Sequence, residues 1–328
     1  MTGNQIWPNG ELRLDLPAFL ARFGLEARGE PEPLVGGEDN INARVATDRG
    51  DVVVREYVQS PLAKVGAELA LVAHLSRGGF PTPAPFTADN GEPAVLVGGK
   101  PIAVFPFASG EVPPAMTADL AEQSGALLAR MHTATIGRTD DRIPVFDRLG
   151  ILEQAAHSDV ALDGAERWRE ETRTFLDRHA EALALLAEQP SGPLHHDLHR
   201  QNLLVEDGEV TAVLDFDELN HGPLILDLAR LFHYAALEQP DRRLPVAIAE
   251  AAVAGYQQAR PLSATELELL PVAFDLAGIV DAAGFILWAA PCLGIDRVDD
   301  CHSWLAHLAN RDVLREPPLT FVRGMSGN

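Results

Sequence analysis

The chain has 328 residues, 46% hydrophobic, 23% charged and 6% aromatic, a composition that fits one large globular domain or two lobes with a substantial core. Its 48 acidic against 26 basic residues leave a formal charge of −22, a field that repels phosphate backbones and excludes a non-specific binder of nucleic acid or of an anionic membrane. Two cysteines, Cys292 and Cys301, are too few to staple such a chain, and Lys64 and Lys100 are its only lysines.

The opening MTGNQIWPNG has no charged segment followed by an apolar stretch, so no signal peptide is expected and the protein is read as cytoplasmic. Asp15 reads as the cap of a short apolar helix, Leu16 to Phe23, stopped by Gly24. Arg44–Thr47 and Val52–Val58 read as strands joined through Asp48-Arg49-Gly50-Asp51, a hairpin signal. Ser60-Pro61 starts a helix with Val65, Leu69, Val72 and Leu75 on its apolar face, and Gly78-Gly79 ends it. Strands at Ala94–Val97 and Ile102–Phe107 follow. Past Gly110 helical periodicity dominates, beginning with a helix capped by Thr117 that buries Leu120, Leu127, Leu128 and Met131. One β insertion interrupts it: Leu203–Val205, the turn Asp207-Gly208, then Val210–Leu214. Leu269 to Leu293 is the most apolar window. It holds Asp275 and Asp281, about one and a half helical turns apart, which suits a core helix better than a membrane span.

The expected architecture is α+β: a sheet-rich lobe, residues 1–110, joined near Ala108–Glu111 to a larger helical lobe, residues 111–328. The first carries 9 basic and 13 acidic residues, net −4; the second carries 17 and 35, net −18. The acidity therefore belongs to the helical lobe, which suits cationic ligands, while the first lobe can tolerate a polyanion.

The densest chemistry lies between Leu194 and Asp227. His195, Asp197 and Asn202 fit H-x-D-x-x-x-x-N, and Asp215-Phe216-Asp217 follows the two-strand insertion. Phosphoryl transfer needs such a set: a carboxylate to orient an incoming hydroxyl, and an amide oxygen and a second carboxylate to hold Mg²⁺ against nucleotide phosphates. Asp217 reads either as a further metal ligand or as a turn cap. Asp227 reads as a helix cap or a loop anchor. A rival reading takes His195, His196, Asp197 and His199 as a hydrolytic metal cluster, which needs further ligands from His132, His221 or His233.

The run HHDLHRQN…LDFD…DLA, with LVGGEDNINARV…DVVVREYV and ALLARMHTA before it, resembles the aminoglycoside phosphotransferase and choline kinase superfamily, in particular its homoserine-kinase-like branch. The resemblance runs from about Leu12 to His233 and implies the two-lobed protein-kinase-like fold, with a nucleotide-binding first lobe and a catalytic, acceptor-binding second lobe. It implies Asp197 as catalytic base and Asn202 and Asp215 as Mg²⁺ ligands, with Asp217 in the family's frequent D-x-D second position as a further candidate ligand. Gly36, Gly37, Asp39, Asn40 and Asn42 would form the loop over the phosphates. Arg55 would be the phosphate-binding cation, paired with Glu68, and Phe105 and Phe107 would lie at the adenine. Three features depart from the pattern. Arg55 stands where a lysine is usual, His196 where glycine is frequent, and the C-terminal third matches homoserine kinases poorly.

The implied activity is an Mg²⁺-dependent transfer of phosphate from ATP or GTP to a hydroxyl of a small molecule, without nucleic-acid or membrane partners. The acidic second lobe and divergent C-terminus lean toward an antibiotic or other specialised metabolite, inactivated by O-phosphorylation. The first lobe leans toward homoserine or a related amino alcohol. A nucleotide-binding pseudokinase is the reading from another class, and the joint presence of Asp197, Asn202 and Asp215 argues against it.

Overall fold

The structure is a computed structural model that describes residues 12, 14–34, 40–311, 313 and 314; the expected phosphate-loop residues Gly36, Gly37 and Asp39 lie outside them. The chain divides into two compact units. The first comprises Met1–Val112, Asp140–Pro144 and Asn202–Leu219; the second comprises Pro113–Thr139, Val145–Gln201 and Asn220–Asn328.

In the first unit, helix α1 (Leu16–Ala21) starts where the Asp15 carboxylate accepts from Ala18 N–H at 3.1 Å. A five-stranded sheet follows in the order β1-β2-β3-β5-β4, built from β1 (Glu32–Pro33), β2 (Asn40–Thr47), β3 (Gly50–Tyr57), β4 (Ala94–Val97) and β5 (Lys100–Pro106), all neighbours antiparallel. Between β2 and β3 the hairpin turns with Gly50 at φ 99°, a left-handed value that favours glycine. Strand alternation gives the sheet two buried faces. Val45, Val52, Val54 and Val104 pack on Phe19, Leu20 and Phe23 of the α1 segment. Tyr57 and Ala103 face the other way, onto Val65 and Leu69 of α2 (Leu62–Arg77). Arg55 lies on that second face because it shares its parity with Tyr57 and pairs across with Ala103.

The first unit also takes in the inserted hairpin, which a single boundary at 110 does not anticipate. Backbone bonds explain it: Glu111 and Val205 exchange N–H···O contacts at 2.9 Å, and Val213 N–H donates to Pro81 at 2.7 Å.

The second unit is helical: α3 (Ala118–Thr135), α4 (Arg148–Ala156), α5 (Ala165–Ala187), then, after one short strand pair, α6 (Ile225–Leu237), α7 (Val246–Ala259), α8 (Ala264–Gly284), α9 (Ala290–Leu293) and α10 (His302–Asn310). Thr117 caps α3, its side chain accepting from Leu120 N–H at 3.2 Å. Helices α3 and α7 approach so closely that a Cβ at Gly125 would stand 1.9 Å from the Ala252 carbonyl oxygen, and one at Gly255 1.9 Å from that of Glu122. Helix α8, with its continuation to Leu293, is long and apolar enough to cross a membrane, but 78% of its apolar window is buried inside this unit, as a core helix would be. Residues 285–289, between α8 and α9, widen into a π-helical turn.

The strands flanking this unit's key loop are β6 (Ser191–Leu194) and β9 (Asn220–Pro223), antiparallel, with Leu194 opposite Asn220. Strand β6 delivers the chain into His195-His196-Asp197, and β9 delivers it into α6.

Candidate active site

In the first unit the hairpin β7 (Leu203–Glu206) and β8 (Glu209–Val213) brings together residues that are distant in sequence. Leu203 pairs with Val213, and Leu214 N–H donates to the Asn202 carbonyl at 2.9 Å, so Asn202 and Asp215 flank the open end of one hairpin. Asp215 takes φ 62°, an unusual left-handed conformation for a residue with a side chain. Arg55 reaches both carboxylates: its Nη2 donates to Asp215 Oδ1 at 2.6 Å and to Asp217 Oδ2 at 3.2 Å. Asn40 Nδ2 also donates to Asp217 Oδ2, at 2.9 Å. Burial raises the Asp217 pKa well above the usual carboxylate range and the neighbouring Asp215 charge raises it further, against the pull of Arg55. Two carboxylates this close call for a cation. Carboxylate oxygens, and the amide oxygen that Asn202 carries at the same end of the hairpin, are hard donors of the kind Mg²⁺ takes.

Glu68 corrects one expectation. Arg55 pairs with Asp215 and Asp217, and Glu68 instead accepts a hydrogen bond from the Tyr57 hydroxyl at 2.8 Å. The reason is placement: Tyr57 and Arg55 lie on the same sheet face, and the phenol reaches Glu68 on α2. Burial pushes the Glu68 carboxyl up to about 7, partly countered by Arg55 and by the Tyr57 hydrogen bond. Its Oε2 and the Arg55 Nε are both buried without a partner. Asn42 sits directly opposite Arg55 in the β2–β3 register. Phe105 packs partly buried beside Tyr57, Leu69 and Ala103. Phe107 is exposed, with the Arg44 guanidinium 4.4 Å over its ring.

In the second unit Asp227 resolves as a loop anchor. Its Oδ2 accepts from His195 N–H at 2.9 Å and its Oδ1 from His196 N–H at 2.8 Å, while His132 Nε2 stands 2.9 Å from Oδ2. His132, on α3, is held from its other side by the Tyr256 hydroxyl at 2.7 Å. The loop backbone before Asp197 is thereby fixed by a buried carboxylate. His196 adopts φ 66°, which accounts for the frequency of glycine at this place in the resembling family, and its ring packs on Phe146 at 5.4 Å. Burial, followed by the charges of Arg230 and Arg148, holds its pKa well below 6.5, so it stays a neutral packing residue. Among the described residues no three His, Cys, Asp or Glu side chains are placed to hold a metal, which removes the hydrolytic cluster's basis.

Asp197 itself receives the Tyr234 hydroxyl on Oδ1 and faces His199 Nε2 at 3.6 Å through Oδ2. Burial pushes its carboxyl up, but His199 and Tyr234, with Arg230 behind them, bring it below the ordinary aspartate value. Behind it Arg230 donates to the His196 carbonyl at 3.2 Å, to Tyr234 Oη at 2.5 Å and to Asp281 Oδ1 at 2.8 Å. Motif reading missed Arg230 and Tyr234, and gave His132 and Asp281 other parts, as a ligand of the rival metal cluster and as a carboxylate of a core helix. One signal was present: Asp227, Arg230 and Tyr234 recur every three to four positions on the mostly apolar α6, a polar stripe on a buried helix.

An antiparallel sheet covered by a helix in one unit, with a helical second unit holding a carboxylate on an anchored loop, is the construction of protein-kinase-like enzymes that phosphorylate small-molecule hydroxyls. The chain belongs to the phosphotransferase enzyme family (APH), whose profile matches residues 30–262. It is 30% identical over 284 residues to the homoserine kinase of Pseudomonas aeruginosa (strain LESB58), which covers 83% of this chain and 88% of the relative. Its fold is similar to that of an amicoumacin kinase in complex with AMP-PNP, Ca²⁺ and Ami (18% identity, TM-score 0.67, 94% of this chain and 96% of the other). It is also similar to that of a microcompartment-associated aminopropanol kinase (19% identity, TM-score 0.66, 92% and 97%).

Proposed function

We propose that this enzyme transfers the γ-phosphoryl group of ATP to the hydroxyl of homoserine or a closely related amino alcohol in the cytoplasm. The observation that carries this reading is the sequence identity with a homoserine kinase along most of both chains. The aminopropanol kinase of like fold supports the same acceptor class. The antibiotic acceptor expected from the acidic second lobe has weaker support, since the amicoumacin kinase shares the fold at only 18% identity.

AMP-PNP and Ca²⁺ in that neighbour support a nucleoside triphosphate with a divalent cation. Asn202, Asp215 and Asp217 would hold Mg²⁺, which supplies charge neutralisation at the phosphates. The first unit takes the nucleotide, with Asn40, Asn42 and Arg55 toward the phosphates, where the family resemblance also assigns Gly36 and Gly37, and Phe105 and Phe107 toward the base. Arg55 presents a planar fork where a lysine would present a point charge. The second unit takes the acceptor, and Asp197 orients its hydroxyl. As the acceptor oxygen bonds to the γ-phosphorus, the bond to the β,γ-bridging oxygen breaks and its electron pair leaves with ADP. The hydroxyl proton passes to Asp197. A carboxylate held below its ordinary pKa is a weak base for an alcohol, so positioning dominates and proton transfer comes late.

Release of ADP from ATP, or of GDP from GTP, measured over a panel of homoserine, aminopropanol, choline and aminoglycosides tests this reading. Turnover fastest on homoserine or aminopropanol supports it. Turnover confined to the aminoglycosides favours the antibiotic reading, and nucleotide binding without turnover on any acceptor favours the pseudokinase.

A further inference from the structure

Asp197 is the carboxylate whose geometry matters most, and two residues of α6 one helical turn apart govern it. Arg230 spends its guanidinium on three acceptors: the His196 carbonyl, Asp281 Oδ1 and the Tyr234 oxygen. A guanidinium only donates, so its bond at 2.5 Å occupies a lone pair of the phenol oxygen and the phenol's own proton points to Asp197 Oδ1. Asp281 is held in turn by His233 Nε2 at 3.1 Å and by the Ser303 hydroxyl from α10. The Tyr234 ring is doubly packed, stacked on His199 with centroids 4.6 Å apart and lying under the Arg230 guanidinium at 4.6 Å. Burial and the nearby Asp197 charge keep the phenol protonated well above 10, against Arg230, so it remains a donor.

We propose that Tyr234 is a positioning residue for phosphoryl transfer: its hydroxyl fixes Asp197 through Oδ1 and turns Oδ2 toward the acceptor hydroxyl. Arg230 sets the loop backbone through His196, and Tyr234 sets the side chain that the loop carries. Oδ2 faces His199 Nε2 at 3.6 Å, longer than an ordinary hydrogen bond. The groups that act on the Asp197 charge include His199 on its own loop and Tyr234 and Arg230 on α6; His195 accepts from the Asp197 backbone N–H, and Asp281 on α8 pairs with Arg230 behind them. The inference rests on the reading of Asp197 as the base.

The test is Tyr234→Phe, which keeps the ring, its stacking and its contact with Arg230 but removes the donor. In the ligand-free protein, the carboxyl ¹³C signal of Asp197, assigned by its loss in Asp197→Asn, is expected to titrate at higher pH in Tyr234→Phe than in the wild type. In turnover, kcat is expected to fall about 10- to 100-fold, the loss of one hydrogen bond to a charged group. KM for ATP should stay within twofold and the acidic limb of kcat/KM should move to higher pH. An unshifted carboxyl titration, or a variant with wild-type kcat and acidic limb while Asp197→Asn is inactive, overturns the role of Tyr234 alone. Wild-type kcat in Asp197→Asn overturns instead the reading of Asp197 on which it rests.

Discussion

Removing the Asp227 carboxylate should release the loop that carries Asp197. Three donors converge on it within 2.9 Å, the amides of His195 and His196 and the His132 ring, and all four residues are buried. In Asp227→Ala two buried N–H groups and an imidazole lose their partner, and an orphaned buried donor costs about 1–3 kcal/mol. The sum is about 3–9 kcal/mol, a large part of the roughly 5–15 kcal/mol that keeps a domain folded. Asp227→Asn is the sharper variant. Both carboxylate oxygens accept, whereas an amide presents one acceptor and one NH₂, which sets a donor against a donor at one of the two loop amides. We expect a loss of about 2–3 kcal/mol in urea unfolding for Asn. Amide exchange at His195 and His196 should accelerate, and kcat should fall more than ten-fold while KM for ATP changes little. Native stability with unchanged exchange at both amides in Asp227→Asn would refute the anchor.

Other perturbations follow from the same geometry. Gly255→Ala sets a methyl 1.9 Å from the Glu122 carbonyl oxygen, so α3 and α7 must separate, at a cost of about 3 kcal/mol or more visible as a lower melting temperature. Because Glu68 is raised to about 7, folding favours its proton; the stability it contributes is complete below about 4.5, declines as pH rises toward 7 and is flat above. Glu68→Gln should therefore abolish that decline in denaturation midpoints and gain up to about 3 kcal/mol at pH 8 over the wild type. Arg55→Met leaves Asp215 and Asp217 without their counter-charge, costing about 3 kcal/mol, and Mg²⁺ should raise the variant's melting temperature more than the wild type's. Equal Mg²⁺ shifts in the two proteins would remove the hairpin carboxylates as the ion's ligands.

What could be read from the sequence was what local chemistry decides. Asp15 and Thr117 bond the amides three residues on, and Gly50 takes the positive φ its hairpin needs. The Leu203–Val213 hairpin, which sets Asn202 beside Asp215, was visible because alternation and Asp207-Gly208 mark it. The β6–β9 pair was not: Ser-Gly-Pro-Leu and Asn-His-Gly-Pro have no alternation, and their prolines cannot donate to a ladder. Partners far apart in the chain were equally silent. His132 meets Asp227 across 95 residues and Arg230 meets Asp281 across 51, so neither shows in a local window. The resemblance placed Glu68 opposite Arg55. The structure gives Arg55 to the hairpin carboxylates, while Tyr57, on the same sheet face, takes Glu68. His196 shows the converse: an anomaly in the motif becomes intelligible once its φ of 66° is known.

Phosphorylation of homoserine by the purified enzyme with ATP and Mg²⁺, followed by mass spectrometry of the product alongside ADP release, tests the central claim most directly. O-phosphohomoserine and ADP are expected in equal amounts, with the rate falling about a thousandfold or more in Asp197→Asn, an order of magnitude set by the loss of the positioning carboxylate. Phosphate on an aminoglycoside but not on homoserine, or undiminished turnover in Asp197→Asn, would contradict it.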